Sequence, residues 1–295
     1  ELGKPADRDV YVGVQSRDGS CFEALPFFRG GDRESAQYGA DSGREGAEIA
    51  RLVPFAREAI ARDYRLCSDT WSAGDLTFSV YSPVRPVPDP ATATDGEMKR
   101  ALVPAVFAEM TIDNSEGRRP RRAFFGCDCD REGARMRELR DLEDEGLRGV
   151  GIGRESAIVS RDRSIESGQG FTAGEILAQN DKDKVHFGLG TVGLLYADIP
   201  AGHRVTLRFA ICFYRDGIAT AGIEAGYFYA RYFRNIEHVA SYATRHFKEY
   251  KQEALAGNAL ADDPPLSDDQ RFMLAHAVHS YYASTELLDW GGQPL

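Results

Sequence analysis

The sequence predicts a mainly β protein: a large antiparallel β-sandwich that gives way to helices towards its C-terminal end. Three observations predict it. From Asp9 to about Gly226 the apolar residues recur with period two, in segments rich in β-branched and aromatic side chains. Turn residues, not helices, separate these segments, which argues for antiparallel pairing over βαβ units. After Gly226 the apolar period changes to 3.6.

The strands follow in order. Val10-Tyr11-Val12-Gly13-Val14, Leu76-Thr77-Phe78-Ser79-Val80-Tyr81 and His203-Arg204-Val205-Thr206-Leu207-Arg208-Phe209 are the clearest. Residues 64–69, 103–112, 121–126, 157–160 and 194–199 are further candidates. Ser72-Ala73-Gly74-Asp75, Asp113-Asn114-Ser115-Glu116-Gly117, Pro200-Ala201-Gly202 and Arg215-Asp216-Gly217 are the turns between them. Two insertions break the rhythm. Residues 83–98 are proline-rich and read as an extended loop, and residues 130–146 are mostly charged and read as a solvated excursion.

In residues 227–255, Tyr229, Tyr232, Phe233, Ile236, Val239, Ala240, Ala243, Phe247 and Tyr250 form one stripe. Unbroken, that helix is about 43 Å long at 1.5 Å per residue. Residues 257–265 are polar, end in two prolines and read as a linker. Ser267-Asp268-Asp269-Gln270 is a capping box opening a last helix that runs to about Asp289. That helix is apolar most of the way round, so it calls for other helices to enclose it.

The chain has 295 residues, room for about two domains of roughly 100–200 residues. Acids outnumber bases 46 to 36, for a net charge of −10. Phosphate backbones and anionic membranes are bound by clustered Lys and Arg, so nucleic acid and membrane are not expected partners. The five cysteines are odd in number and irregular in spacing, and the first residues lack the apolar core of a signal peptide. Reduced thiols in a cytoplasmic protein are the expectation.

The short motifs are mostly negative. Gly188-Leu189-Gly190-Thr191-Val192-Gly193 matches GxGxxG, but a strand-like segment ending in Pro200 follows it where a dinucleotide site needs a helix. Close strand approach is the better reading. Cys127 and Cys129 have no second ligand pair, and His276 and His279 stand at i,i+3 without an HExxH pattern, so no metal is expected. There is no GxSxG elbow. Trp71 suits either core packing or stacking on a sugar face.

Longer runs decide the matter. Ser68-Asp69-Thr70-Trp71-Ser72-Ala73-Gly74-Asp75-Leu76-Thr77-Phe78, Glu109-Met110-Thr111-Ile112-Asp113-Asn114, Arg121-Arg122-Ala123-Phe124-Phe125-Gly126, Cys212-Phe213-Tyr214-Arg215 and Leu266-Ser267-Asp268-Asp269-Gln270-Arg271-Phe272-Met273 resemble the N-terminal part of glycoside hydrolase family 52 β-xylosidases. They occur in order over nearly the whole chain. Residues 130–146 and Cys127-Asp128-Cys129 depart from the pattern.

The resemblance implies a β-sandwich in residues 1–226, a helical linker in 227–264, and the first helix of a truncated six-hairpin α/α barrel in 265–295. It implies an enzyme that releases xylose from the non-reducing end of xylo-oligosaccharides with retention of configuration. Retention needs two carboxyl groups about 5–5.5 Å apart. In the family both belong to the barrel, beyond Leu295, so no catalytic residue is assigned and the chain alone is expected to be inactive. Sugar pockets use aromatic platforms and fixed donors, which makes Trp71, His276, Tyr281 and Tyr282 the substrate-binding candidates. No cofactor is implied; a homodimer is. The alternatives are a free-standing carbohydrate-binding or scaffold module and a family 116 β-glucosidase. The apolar last helix speaks against the module.

Overall fold

The alternating segments pair into two large sheets in a computed structural model that describes residues 8–28, 49–129, 135–139, 142, 145–178, 189–220, 222–262, 265–283 and 285–295. In chain order the first elements are β1 (Val10–Gln15), β2 (Phe22–Ala24), β3 (Leu52–Pro54), β4 (Ile60–Tyr64), β5 (Ser68–Ala73) and β6 (Leu76–Tyr81). Helix α1 (Asp95–Ala101) precedes β7 (Ala105–Asn114), β8 (Arg121–Asp128), β9 (Met136–Glu138), β10 (Arg148–Ile152), β11 (Ser156–Ser160) and β12 (Glu166–Gly170). Helix α2 (Ala173–Ala178) leads to β13 (Val192–Ile199), β14 (His203–Phe213), β15 (Ile218–Thr220) and β16 (Glu224–Tyr227). Three helices follow, α3 (Ile236–Arg245), α4 (Phe247–Asp262) and α5 (Asp268–Ala283), and then β17 (Leu288–Trp290) and β18 (Gln293–Pro294).

One sheet has six strands in the order β12-β13-β8-β1-β2-β3, and the other has eight, β4-β5-β6-β7-β14-β11-β10-β9. Pairing is antiparallel throughout both except between β2 and β3. The longest ladder joins β7 to β14, from His203 opposite Asn114 to Cys212 opposite Ala105. The sheets face each other across a core in which Phe125 of the first lies 5.1 Å from both Phe78 and Phe209 of the second. Val12, Val14, Met110, Ile112, Leu195 and Leu207 fill the same layer. This is the expected sandwich, built as period-two strands demand: one face of each strand buried between the sheets.

Helices α3 and α4 cover the outer face of the eight-stranded sheet. Phe107 of β7 stacks on Tyr250 of α4 at 4.6 Å and meets Phe247 edge-on at 5.7 Å. Ile236, Val239, Ala240 and Ala243 of α3 bury their stripe in this second core.

Several local expectations are corrected. Residues 227–255 do not form one helix: a 3-10 turn (Phe228–Arg231) comes first, and α3 starts only after Asn235. Asn235 Oδ1 accepts the His238 N–H at 2.8 Å, an N-cap that fixes a new start inside the apolar stripe. His246 then leaves the helical region and separates α3 from α4. Helix α4 runs on to Asp262, through Gly257, into the stretch read as linker; residues 263 and 264 lie outside the described set. Gly257 is needed there because a Cβ would stand 2.6 Å from Cys67 Sγ. The proline-rich segment is not all loop, since Thr94 and Glu97 form a capping box that starts α1. Residues 64–69 are not one strand: Tyr64 closes β4, Ser68 and Asp69 open β5, and residues 65–67 turn between them.

The charged insertion is also less solvated than its composition implies. Residues 130–134, 140, 141, 143 and 144 lie outside the described set, but β9 is a strand and Leu139, Leu142 and Leu147 are buried. In the GxGxxG segment, where Gly188 is not described, a Cβ on Gly193 would strike Met136 Sδ at 2.5 Å, and β13 follows as a strand. Close approach, not cofactor chemistry, explains that glycine. The capping box before α5 is formed: Gln270 N–H donates to Ser267 Oγ at 3.3 Å, and Ser267 N–H to Gln270 Oε1 at 2.9 Å. Helix α5 ends at Ala283, short of the expected 289, because Leu288–Trp290 instead pair with β16 and turn back through Gly291 and Gly292, both at positive φ.

Candidate functional site

The sequence-derived candidates lie where the β4–β5 hairpin and the proline-rich segment meet α5. Trp71 on β5 is directly opposite Arg62 on β4. The Arg62 guanidinium stands 4.7 Å over the Trp71 ring and 4.7 Å over the Tyr64 ring, and forks onto both oxygens of Asp69 at 2.8 Å. Phe27 meets Trp71 edge-on at 4.9 Å. The indole is therefore half-buried, with a cation over one face and a ring at its edge.

The row continues into the helix. Tyr64 packs against Phe272 at 5.6 Å and His279 at 5.3 Å, and Phe272 lies parallel to His276 at 6.2 Å. His279 Nε2 donates to the Leu66 carbonyl at 2.9 Å. His276 itself is exposed.

Tyr281 and Tyr282 form a second group, 5.8 Å apart and edge-to-face. Tyr282 O–H donates to the Arg85 carbonyl at 3.1 Å. Arg85 also lines a groove of about 520 Å³ between the proline segment, α1 and α4. Its guanidinium stands 4.4 Å over Tyr250 and pairs with Glu253 at 2.6 Å, and Arg100 pairs with the same carboxylate. The structure thus links Trp71 to His276 through Arg62, Tyr64 and Phe272, and places Tyr281 and Tyr282 beside the groove. It does not gather all four in one pocket.

Only one stripe of α5 is covered. Ala275 is buried, and Phe272 and His279 touch the hairpin, but Met273 and Tyr281 are 68% and 65% exposed. Leu260 of α4 adds another exposed apolar residue at 67%. Helix α5 and the end of α4 thus carry exposed large apolar side chains.

Several of the described carboxylates are ion-pair partners. Glu109, the most enclosed, accepts from Lys251 Nζ at 2.5 Å and lies 3.4 Å from Arg208 Nε. Hydrogen bonds hold several others below the usual carboxylate range: Asp75 by Arg17, Asp289 by Arg231, Glu145 by Ser241 and Glu97 by the Thr94 backbone. The general acid of a glycosidase needs the opposite shift. Among the described residues no group of three or more His, Cys, Asp or Glu is placed to hold a metal ion, and no helix is long and apolar enough to cross a membrane.

Arg62 was not legible as part of this cluster, because its ring contacts depend on the β4–β5 register. The alternation of Ile60, Arg62 and Tyr64 opposite Ala73, Trp71 and Asp69 is the signal that carries it.

Comparison with known proteins adds the family. The chain is 45% identical over 298 residues to a beta-xylosidase of Geobacillus stearothermophilus, an alignment covering 100% of this chain and 42% of that protein. It is 38% identical over 305 residues to a second beta-xylosidase of the same organism, covering 100% of this chain and 49% of the relative. The chain thus spans just under half the length of these curated relatives. The model of Glycosyl hydrolase family 52 matches residues 1–295, so the sandwich, its helices and the aromatic row along α5 are those of a chain that belongs to glycosyl hydrolase family 52.

Proposed function

We propose that this chain is the non-catalytic N-terminal portion of a retaining β-xylosidase that removes xylose from the non-reducing end of xylo-oligosaccharides. The observation that carries the reading is the family match along the whole chain, together with the 45% identity to a protein named a beta-xylosidase. The sandwich and helices α3 and α4 form the buttress. The uncovered apolar residues of α5 and α4 are the surface against which an α/α barrel packs, with residues 265–295 as that barrel's start. The barrel brings the nucleophile and the acid/base. The ion pairs and hydrogen bonds that hold Glu109, Asp75, Asp289, Glu145 and Glu97 support this division.

In this reading Trp71, His276, Tyr281 and Tyr282 contribute to the rim of the sugar pocket. Exposure of His276, Tyr281 and Tyr282 supports their part; Trp71 acts from behind Arg62. Five free thiols support a reducing, cytoplasmic setting, and the family resemblance supports a homodimer with neither nucleic acid nor membrane as partner.

The test is hydrolysis of an aryl β-xyloside by the 295-residue chain and by a polypeptide of full family length. The longer protein turns over and the 295-residue chain does not. Turnover by the 295-residue chain overturns the division of labour, and a full-length protein that cleaves β-glucosides but not β-xylosides overturns the substrate.

A further inference from the structure

We propose that Lys99 is a nucleophilic amine, a covalent site for small aldehydes, set up by His238 beside the rings of Phe233 and Tyr242. Lys99 lies half-buried on α1 where that helix meets α3. Its Nζ is 2.9 Å from His238 Nε2, 4.9 Å from the Tyr242 centroid and 5.1 Å from that of Phe233. Among the described residues no carboxylate pairs with it, whereas Lys251 is tied to Glu109.

The direction of the hydrogen bonds carries the argument. The backbone N–H of Arg234 points at His238 Nδ1, 3.4 Å away. An N–H only donates, so Nδ1 accepts and the neutral ring carries its proton on Nε2. That Nε2–H needs an acceptor, and the neighbouring Lys99 nitrogen is one only as the free amine, because an ammonium has no lone pair.

The surroundings push the same way. Burial, then the charges of Arg234 and Arg245, lower the Lys99 pKa. Burial, then Lys99, Arg234 and Arg245, lower that of His238, so the imidazole stays neutral. Glu145 pulls His238 in the opposite direction, but it is itself held by Ser241 and Arg245. The two rings attract an ammonium, yet they also displace the water that would solvate it. A desolvated lysine among cations, with a histidine in hydrogen-bond reach, is the arrangement that makes an amine a nucleophile at neutral pH.

The step balances without an oxidant or reductant. The Lys99 lone pair forms the N–C bond as the carbonyl π pair moves to oxygen, and a proton passes from nitrogen to oxygen to give a carbinolamine. The nitrogen lone pair then closes a C=N bond as the hydroxyl leaves as water with a proton taken from solvent, and the iminium nitrogen returns its remaining proton to solvent. One water is released for each aldehyde bound.

The experiment incubates the folded chain with glyceraldehyde and sodium cyanoborohydride at neutral pH and follows each lysine by peptide mass spectrometry. Lys99 is labelled several-fold faster than Lys248, which is exposed, and its rate rises at lower pH than that of Lys248. His238→Phe brings Lys99 down to the Lys248 rate while the circular dichroism spectrum stays unchanged. Labelling of Lys99 no faster than Lys248 in the unaltered protein overturns the proposal, whatever the His238 variant does.

Discussion

Asn258 of α4 accepts the backbone N–H of Cys67 at 2.8 Å, a buried bond that fastens the helix to the start of β5. The other end of the same amide donates to Ser68 Oγ at 2.9 Å. Leucine has nearly the shape of asparagine and none of its polarity, so Asn258→Leu leaves the Cys67 N–H buried and unpaired. The expected cost is about 2 kcal/mol. Urea unfolding shows it as a lower midpoint at unchanged slope.

The two sheets are clasped at one end by Asp75, in the β5–β6 turn. It accepts from Arg17 at 2.6 and 2.9 Å and from the buried Arg121 at 2.6 Å. The Arg17 hydrogen bond, then that of Arg121, depresses the Asp75 pKa against the opposing effect of burial. A depressed folded pKa gives stability that is complete above the unfolded value of about 3.9 and fades as the pH falls through the folded one. Asp75→Asn is therefore destabilising near neutral pH, and the gap to the unaltered protein closes in acid. Removing the charge beside an enclosed Arg121 costs about 3 kcal/mol at pH 7. Thermal midpoints of the two proteins, measured from pH 7 down to pH 3, give the profile.

Gly257 and Cys67 are a packing pair. A methyl group at 257 overlaps Cys67 Sγ, and both backbones are fixed, one in α4 and one ahead of β5. Gly257→Ala is expected to destabilise by about 1–3 kcal/mol despite the better helix propensity of alanine. Cys67→Ala vacates the overlapped volume, so the double variant is more stable than the sum of the single effects allows. A denaturant double-mutant cycle measures that coupling.

How much of this was legible depends on the range of the interaction that decides each element. Strands β1, β6, β7, β8, β11, β13 and β14 follow from local runs of alternating, β-branched and aromatic residues, whereas β9, β10 and β12 carry no such run and take their place from the neighbours they pair with. The Ser267–Gln270 box was legible because it too is local: a cap is a four-residue event. The break between the helices was not. Asn235 caps α3 in the middle of a stripe whose spacing is continuous, and the apolar pattern does not register a competing side-chain bond. Leu287 and Leu288 extend the helical spacing of α5, but the backbone partners on β16, some 60 residues earlier, take that segment as strand. The aromatic residues of the candidate site could be named from sequence. Their grouping could not, since the cation over Trp71 comes from Arg62 on the neighbouring strand and depends on the β4–β5 register.

Met273 is where the proposed barrel contact can be tested on one side chain. It is 68% exposed on α5, on the far side from Ala275 and the hairpin contacts. Met273→Lys in the 295-residue chain replaces exposed apolar surface with charge, and the expected change in stability is within about 0.5 kcal/mol. On the proposed packing, the same residue lies under the barrel in a polypeptide of full family length, where an unpaired ammonium is not solvated. There the substitution is expected to cost more than about 3 kcal/mol. Paired unfolding curves for the two lengths, each with and without Met273→Lys, separate the cases. Equal small effects in both lengths refute the packing of α5 against a barrel, and a large effect confined to the longer protein establishes it.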